Sequence, residues 1–409
     1  MVGGGLAALA TALHLRRLGH RVALVGGRSR RSGGVVSATP TIVPVLAALG
    51  LERAFLEASF PSVDRVDVRW GAMRRRDAGT GWLVPLEAMR RLLWDAASGE
   101  VLELDGGVRD DGADGWRVES SARSVRASWR VLAHADDAAS AYRPLGPPTV
   151  CRVRAATGAA RADTAVRVRS HSAGWRWTAA TRDGSIHALS FRDGAPTGPE
   201  ELDVTPRIAV APIGERSVSV GSACMRLDPL SSQGTQQALA TALRAATVIH
   251  TAVRHPGDVE AARAFYDQAA RSAAREHVRK RAAHHRRALT HHPTAFWRDR
   301  ADDGEPAFTP RTDSVPLERH LKIGRGTTLG RAPRLDGARI RWGSALHHPA
   351  LAGPVAYVGE LEASDVVREV AASPSLAWVL ARTPTPIRAA KAAAVDWLWR
   401  QGVLDADAD

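Results

Sequence analysis

The most constraining feature of the chain is its opening, Gly3-Gly4-Gly5-Leu6-Ala7-Ala8. It fits the pattern G-x-G-x-x-G/A. Leu6, Leu9, Leu13 and Leu15 then predict a mostly apolar helix, ended by Gly19. Arg21-Val22-Ala23-Leu24-Val25 predicts a short buried strand. In such a turn the first glycine allows the sharp bend and the second admits a pyrophosphate to the backbone. The small third residue lets helix and strand pack. The helix N-terminus then faces the phosphate charge. Gly3, Gly5 and Ala8 are therefore candidate cofactor contacts. The strand expected before the glycines is reduced to Met1-Val2. Gly26 stands where an acid normally meets a ribose. Arg28, Arg30 and Arg31 follow it, and Arg28 is a candidate phosphate contact.

The rest of the chain alternates in a way that sets the fold class. After a loop over 27–40, helices are predicted at Ile42–Leu49 and Leu86–Ala97, with a strand at 63–70 between them. Residues 99–134 read as strands and turns, with Asp-Gly pairs at 105–106 and 114–115. Strand-like runs occur at 150–154, 165–169, 185–191 and 207–211. A long helix is predicted from Gly234 to about His250, and another from Val259 to Leu289. A stretch rich in Asp, Gly, Pro and Thr at 301–315 reads as a linker. Helices at Ser373–Leu380 and Pro386–Leu404 belong to a small α+β ending. The expected fold is α/β. A Rossmann-type nucleotide-binding domain (1–60, 84–150 and 212–300) receives an inserted mixed-sheet domain (61–83 and 151–211). A C-terminal module (310–409) follows.

Three further segments carry chemistry. Asp228-Pro229-Leu230-Ser231-Ser232-Gln233-Gly234 leads into the apolar helix beyond it, whose N-terminus would stabilise negative charge. Gly174-Trp175-Arg176-Trp177 places two indoles two residues apart, on one face of a strand. Thr294-Ala295-Phe296-Trp297-Arg298-Asp299-Arg300 closes the long basic helix.

With these segments the chain resembles the FAD-dependent monooxygenase and tryptophan-halogenase superfamily. The nearest likeness is to the flavoprotein hydroxylases that mature quinone-cofactor amine oxidases and dehydrogenases. The resemblance covers residues 1–300 well and the remainder loosely. It implies a glutathione-reductase-like FAD-binding domain and a substrate domain walled by Trp175 and Trp177. It implies FAD, framed at the isoalloxazine by Asp228, Pro229, Gln233 and Gly234 and at the ribityl chain by Ser222, where relatives carry aspartate. It implies an oxidoreductase, a monooxygenase that hydroxylates an aromatic ring through a flavin C4a-hydroperoxide. The substrate would be an aromatic small molecule or an acidic peptide or protein carrying tryptophan. The reductant would be NAD(P)H or reduced flavin. No side-chain nucleophile is required, and no catalytic residue is assigned. The closing L-x-x-G-x-L of the chain resembles the end of a winged-helix module.

This chain departs from the pattern in several places. Gly34-Val35-Val36 stands where relatives have Gly-Glu, Ala135-Asp136-Asp137 replaces an A-x-G turn, and Thr178-Ala179-Ala180 follows the W-x-W. The first lysine is Lys280, which argues against a halogenase, whose chemistry uses an earlier one. The departures leave open a degenerate, non-catalytic relative acting as a peptide-binding scaffold.

Charge and cysteine content bound the partners. The formal net charge is +13, and only Lys280, Lys322 and Lys391 among the basic residues are not arginine. Residues 1–50 hold six arginines and no acid. Residues 271–300 carry +7, so the remaining chain is balanced. The second block, with Arg279, Lys280 and Arg281, is expected to dock an acidic partner. Nucleic acid and membrane are not expected partners. Two distant cysteines, Cys151 and Cys224, make neither a disulfide framework nor a metal motif, and a reducing cytoplasm is expected. The pairs His284-His285, His291-His292 and His347-His348 read as exposed titrating residues rather than metal ligands.

Overall fold

The computed structural model describes residues 1–26, 34–104, 106–112, 115–120, 124–134, 141–231, 233–301 and 310–407. Arg28, Arg30 and Arg31 fall outside them, as do Ala135-Asp136-Asp137, Ser232, the first residue of each Asp-Gly pair and most of the 301–315 segment. The chain divides into two compact units. One comprises Met1–His250 and Ala274–Glu305, the other Thr251–Ala273 and Pro306–Asp409.

In the first unit, a parallel sheet grows around the glycine turn. Val22–Val25 pairs with Val101–Leu104, and Arg130–Leu132 pairs with Ser217–Ser219. Val2 bridges Val25 on one side and Leu132 on the other. A single residue thus takes the place of the expected strand, held by its N–H to Val131 O at 2.9 Å and its carbonyl to Ala133 N–H at 3.1 Å. The helix Leu6–Arg17 buries Leu9, Leu13 and Leu15 and packs against Leu86–Ala97, which buries Met89, Leu93 and Ala97 at four-residue spacing. The glycines at 19 and 26 adopt φ of +80° and +70°. At Gly26 this left-handed backbone disfavours the acid that the pattern calls for.

A larger mixed sheet of seven strands forms the other part of this unit. Its order is Glu201–Asp203, Thr149–Thr157, Ser185–Asp193, Gly174–Ala180, Ala165–His171, Arg65–Trp70, Met73–Ala78. All neighbours are antiparallel except Ala165–His171 with Arg65–Trp70. Alternation sends Val66, Val68, Trp70, Val166, Val168, Trp175 and Trp177 to one face, where they join Trp297 and Phe296 in an aromatic core. Trp297 is fully buried, and its ring lies 5.2 Å from that of Trp70.

Gly174 sits where a side chain has no room. Its φ is +149°, and a Cβ would lie 1.9 Å from the Phe191 carbonyl oxygen. Gly174→Ala is expected to destabilise the unit by more than about 1 kcal/mol. Thermal unfolding followed by circular dichroism measures this, and an unchanged midpoint would refute it.

The second unit is built on the hairpin Thr328–Asp336 with Arg339–His347, the pair Leu321–Ile323 with Leu404–Ala406, and helices Ala363–Ala371, Leu376–Arg382 and Thr385–Arg400. Leu321, Leu346, Val367, Leu398 and Val403 form its core. Two helix boundaries differ from expectation. Ser375 caps its helix, its Oγ accepting the Trp378 N–H at 3.2 Å, so residues 373–375 stay outside. The last helix stops at Arg400, and Gly402 at φ +71° turns the chain into the strand that begins at Leu404. No helix among the described residues is long and apolar enough to cross a membrane.

Candidate functional site

The glycine turn leaves a helix end open. Gly3 has φ +97°, and its N–H bonds Val25 O at 2.9 Å. Gly5 caps the helix in extended conformation with no side-chain cap. The first helical N–H to bond backwards is that of Leu9, to Gly5 O at 3.1 Å. The N–H groups of Leu6, Ala7 and Ala8 are therefore left for an acceptor beyond the helix end. Among the described residues, a Cβ on Gly5 would meet nothing within 4 Å, so they leave space above the turn.

The short 3-10 turn Gly221–Ala223 closes against this helix. Gly221 has φ +57°, and a Cβ there would lie 2.7 Å from that of Ala7. Its N–H donates to Thr241 Oγ1 at 2.9 Å, on the Gly234–Arg254 helix. The turn is thus wedged between two helices and holds the exposed Ser222 beside the first. Gly3, Gly5, Ala8 and Ser222, separated by more than two hundred residues, come to one place. Gly221, which stands with Ser222 where relatives have Gly-Asp-Ala-Ala, and Thr241 belong with them, and no motif marked Thr241.

The Asp-Pro segment is fixed by its own aspartate. Asp228 is 3% exposed. Its Oδ1 accepts the Leu230 N–H at 2.9 Å, and its backbone N–H donates to His277 Nε2 at 2.8 Å. Beside this segment lies a pocket of about 200 Å³, walled by Trp175, Trp177, Phe191 and Val36 and closed by Asp228, Pro229 and Gly234. Trp175 stacks on Phe191 with ring centroids 3.6 Å apart. The Val35-Val36 departure falls on this wall and makes it apolar. Gln233 faces elsewhere, into a second pocket of about 240 Å³ with Asp228, Leu230, His277, Lys280, Arg281 and His284. The residues grouped around Gly234 in sequence are therefore divided between two cavities that share Asp228.

His277 is buried, and burial pushes its pKa down to about 4. A neutral imidazole is also what its hydrogen bond requires, because Nε2 must accept the Asp228 N–H. Unfolding restores an ordinary pKa near 6.5, so the unfolded chain takes up a proton first. Stability from this group is intact above about pH 6.5, falls as pH drops, and is lost below about pH 4, by about 3 kcal/mol in all. His277→Gln, which keeps an acceptor without titrating, is expected to flatten that part of the acid-unfolding profile. An identical pH dependence in wild type and variant would refute the assignment.

The basic block at 271–300 is not one exposed face. Arg281 is 3% exposed and donates Nη2 to Leu145 O at 2.6 Å. His285 is fully buried, contrary to the reading of the histidine pairs as exposed. Arg300 is 2% exposed and holds Thr149 Oγ1 at 2.8 Å, Pro148 O at 3.1 Å and Asp193. Arg300 ties the Phe296-Trp297 ending to the large sheet, and Arg281 ties the helix to the segment at Leu145. Among the described residues, no cluster of three metal-ligating side chains occurs.

No protein-family model and no curated protein matches the chain. Solved structures do. A peptidyl tryptophan dihydroxylase, QhpG, essential for tryptophylquinone cofactor biogenesis, superposes with a TM-score of 0.75 at 23% identity, over 98% of each chain. CmlS, a flavin-dependent halogenase, superposes with a TM-score of 0.76 at 16% identity, over 99% of this chain and 95% of its own. PqsL from Pseudomonas aeruginosa, described as a probable FAD-dependent monooxygenase, gives 0.55 at 18% identity, over 72% of this chain and 98% of its own. At these identities the likeness establishes the fold, which is mixed α/β with a large mixed sheet, as in these flavoproteins.

Proposed function

We propose that the chain is an FAD-dependent monooxygenase that hydroxylates an aromatic ring, with the tryptophan side chain of a polypeptide as its substrate. The observation that carries this reading is the pocket in which Trp175 and Trp177 face Asp228, Pro229 and Gly234. The reading is supported by the open helix end at Gly5 and by the shared fold with flavin-dependent hydroxylases and halogenases. The space that the described residues leave above Gly5, and the first-turn N–H groups, suit a diphosphate, so the residues present fit the cofactor.

FAD, when bound and reduced, would supply the oxygen activation and transfer to an electron-rich ring. The protein's share is binding, orientation and exclusion of water. Leu6, Ala7 and Ala8 donate backbone N–H groups to the diphosphate, and Gly3 and Gly5 keep that approach clear. Ser222 supplies a hydroxyl to the ribityl chain, a weaker partner than a carboxylate. Asp228 and Pro229 hold the segment before Gly234, and the helix N-terminus there favours negative charge on the flavin. Trp175, Trp177 and Phe191 exclude water and present flat apolar surface to the substrate ring. In this reading 1–60, 84–150 and 212–300 serve the cofactor, and 61–83 and 151–211 serve the substrate. NAD(P)H or a reduced flavin would be the electron source.

The test begins with colour. Protein incubated with FAD and freed of excess cofactor should keep the flavin absorbance bands. Reduced anaerobically and then given oxygen with a tryptophan-containing peptide, it should add oxygen atoms to that peptide by mass spectrometry. Colourless protein that ignores FAD would sink the reading. Bound flavin with no oxygen gained by peptide or small aromatic would leave a flavoprotein that is not this hydroxylase.

A further inference from the structure

We propose that the outer face of the seven-stranded sheet is a docking surface for an acidic polypeptide, presented as a helix with glutamate or aspartate along one side. The proposal rests on strand register and is independent of the flavin reading.

Register aligns arginines across four neighbouring strands. Arg74 pairs with Arg69, Arg69 with Arg169, and Arg169 with Arg176. Directly opposed residues share a face, so the four form one lateral row. With strands about 4.8 Å apart, the row spans about 15 Å. All four side chains are exposed. A second row two residues along holds Arg76, Asp67 and Arg167. The opposite face of these strands is the aromatic core, so alternation forces the arginines outward.

The row is not neutralised from within. Farther across the same face, Arg152 and Arg192 are both paired with Glu201, at 2.8 and 2.7 Å. Among the described residues, the carboxylate nearest the row is Asp67, 3.9 Å from Arg69 Nε. Arg176 donates Nε to Ser190 Oγ, and Arg74 donates to Gly71 O, both uncharged. Like charges directly opposed across a sheet are destabilising. The free protein therefore carries repulsion that a bound polyanion relieves.

The geometry favours a polypeptide over nucleic acid. Single-stranded nucleic acid is held by aromatic side chains interleaved with cations. This face presents no Phe, Tyr or Trp among its described residues. Arginine forks match carboxylates two bonds at a time. Their lateral spacing of about 4.8 Å approaches the roughly 5–6 Å between side chains three or four apart on a helix. An acidic helix laid across the strands meets the row in step.

The test uses a fluorescein-labelled, glutamate-rich helical peptide of about 20 residues, long enough to be helical alone. Binding is read by anisotropy on protein without added FAD, so the outcome does not depend on the flavin. The quadruple variant Arg69→Gln, Arg74→Gln, Arg169→Gln, Arg176→Gln is compared with a control of equal charge loss on exposed arginines elsewhere, Arg53→Gln, Arg91→Gln, Arg325→Gln, Arg331→Gln. The sheet variant should weaken binding by about tenfold or more and the control by less than about threefold. Its melting temperature should hold or rise, because repulsion is removed. Equal losses in both variants would overturn the proposal as diffuse charge. No binding by the wild type would overturn it outright. Tighter binding of single-stranded DNA than of the peptide, lost in the sheet variant, would reassign the face to nucleic acid.

Discussion

Gly5→Val should yield a folded protein that no longer retains flavin. The substitution is chosen because Gly5 is extended, with φ −76° and ψ 174°, which valine adopts readily. Among the described residues a Cβ there meets no atom within 4 Å, so the fold should tolerate it. The isopropyl group would instead fill the space above the N–H groups of Leu6, Ala7 and Ala8. If a diphosphate belongs in that space, affinity for FAD should fall by about a hundredfold or more, equivalent to about 2.7 kcal/mol. The paired measurements are far-ultraviolet circular dichroism and flavin retained after gel filtration. A folded, fully yellow Gly5→Val protein would show that the cofactor lies elsewhere.

Arg300→Ala should produce a large loss of stability. Arg300 is buried, its guanidinium holds Thr149 Oγ1, Pro148 O and Asp193, and its centre lies 3.8 Å from the Phe296 ring centroid. Truncation strands those acceptors and opens a void beside Phe296. Asp193 is half exposed, so the expected cost is that of the lost hydrogen bonds and the void, about 2–4 kcal/mol. The midpoint of thermal unfolding should drop on the order of 10 °C. Arg300→Lys keeps the charge but not the fork, and should recover part of the loss. A midpoint within a degree or two of wild type for Arg300→Ala would place this arginine among the solvated charges.

The sequence already contains the reason why charge was hard to read along it. Ala165-Val166-Arg167-Val168-Arg169 and Arg65-Val66-Asp67-Val68-Arg69 alternate, so each strand announces a basic face. Summed over everything outside 1–50 and 271–300 the chain looks balanced, because acids elsewhere offset the arginine excess of 61–83 and 151–211. What segment sums miss is register. Arg74, Arg69, Arg169 and Arg176 become neighbours only when four strands pair in one particular alignment. By contrast, Leu86–Ala97 was legible to the residue, because a four-residue apolar period needs no partner to be recognised. The glycine turn and the W-x-W were legible for the same local reason.

The same distinction explains His277. It lies 49 residues from Asp228, and only folding brings Nε2 to the aspartate N–H. A weak signal existed. Ala274, His277, Arg281, His285 and Ala288 recur at helical spacing, which is the mark of a buried face rather than a solvated one. Polar residues in that stripe announce buried hydrogen bonds, but the partners are written elsewhere in the chain.

The row on the sheet is made of guanidinium groups alone, and this has a consequence for what can control it. Arginine stays protonated across every pH at which the protein is folded, and the row contains no lysine for an acetyl group to cap. The row's own charge is therefore fixed and insensitive to lysine chemistry; acidity acts on this face through His171, whose pKa is lowered by burial and by Arg176. Dissolved salt, which shortens the reach of exposed charges to about 8 Å at physiological strength, is the other setting that turns its attraction for an anion up or down.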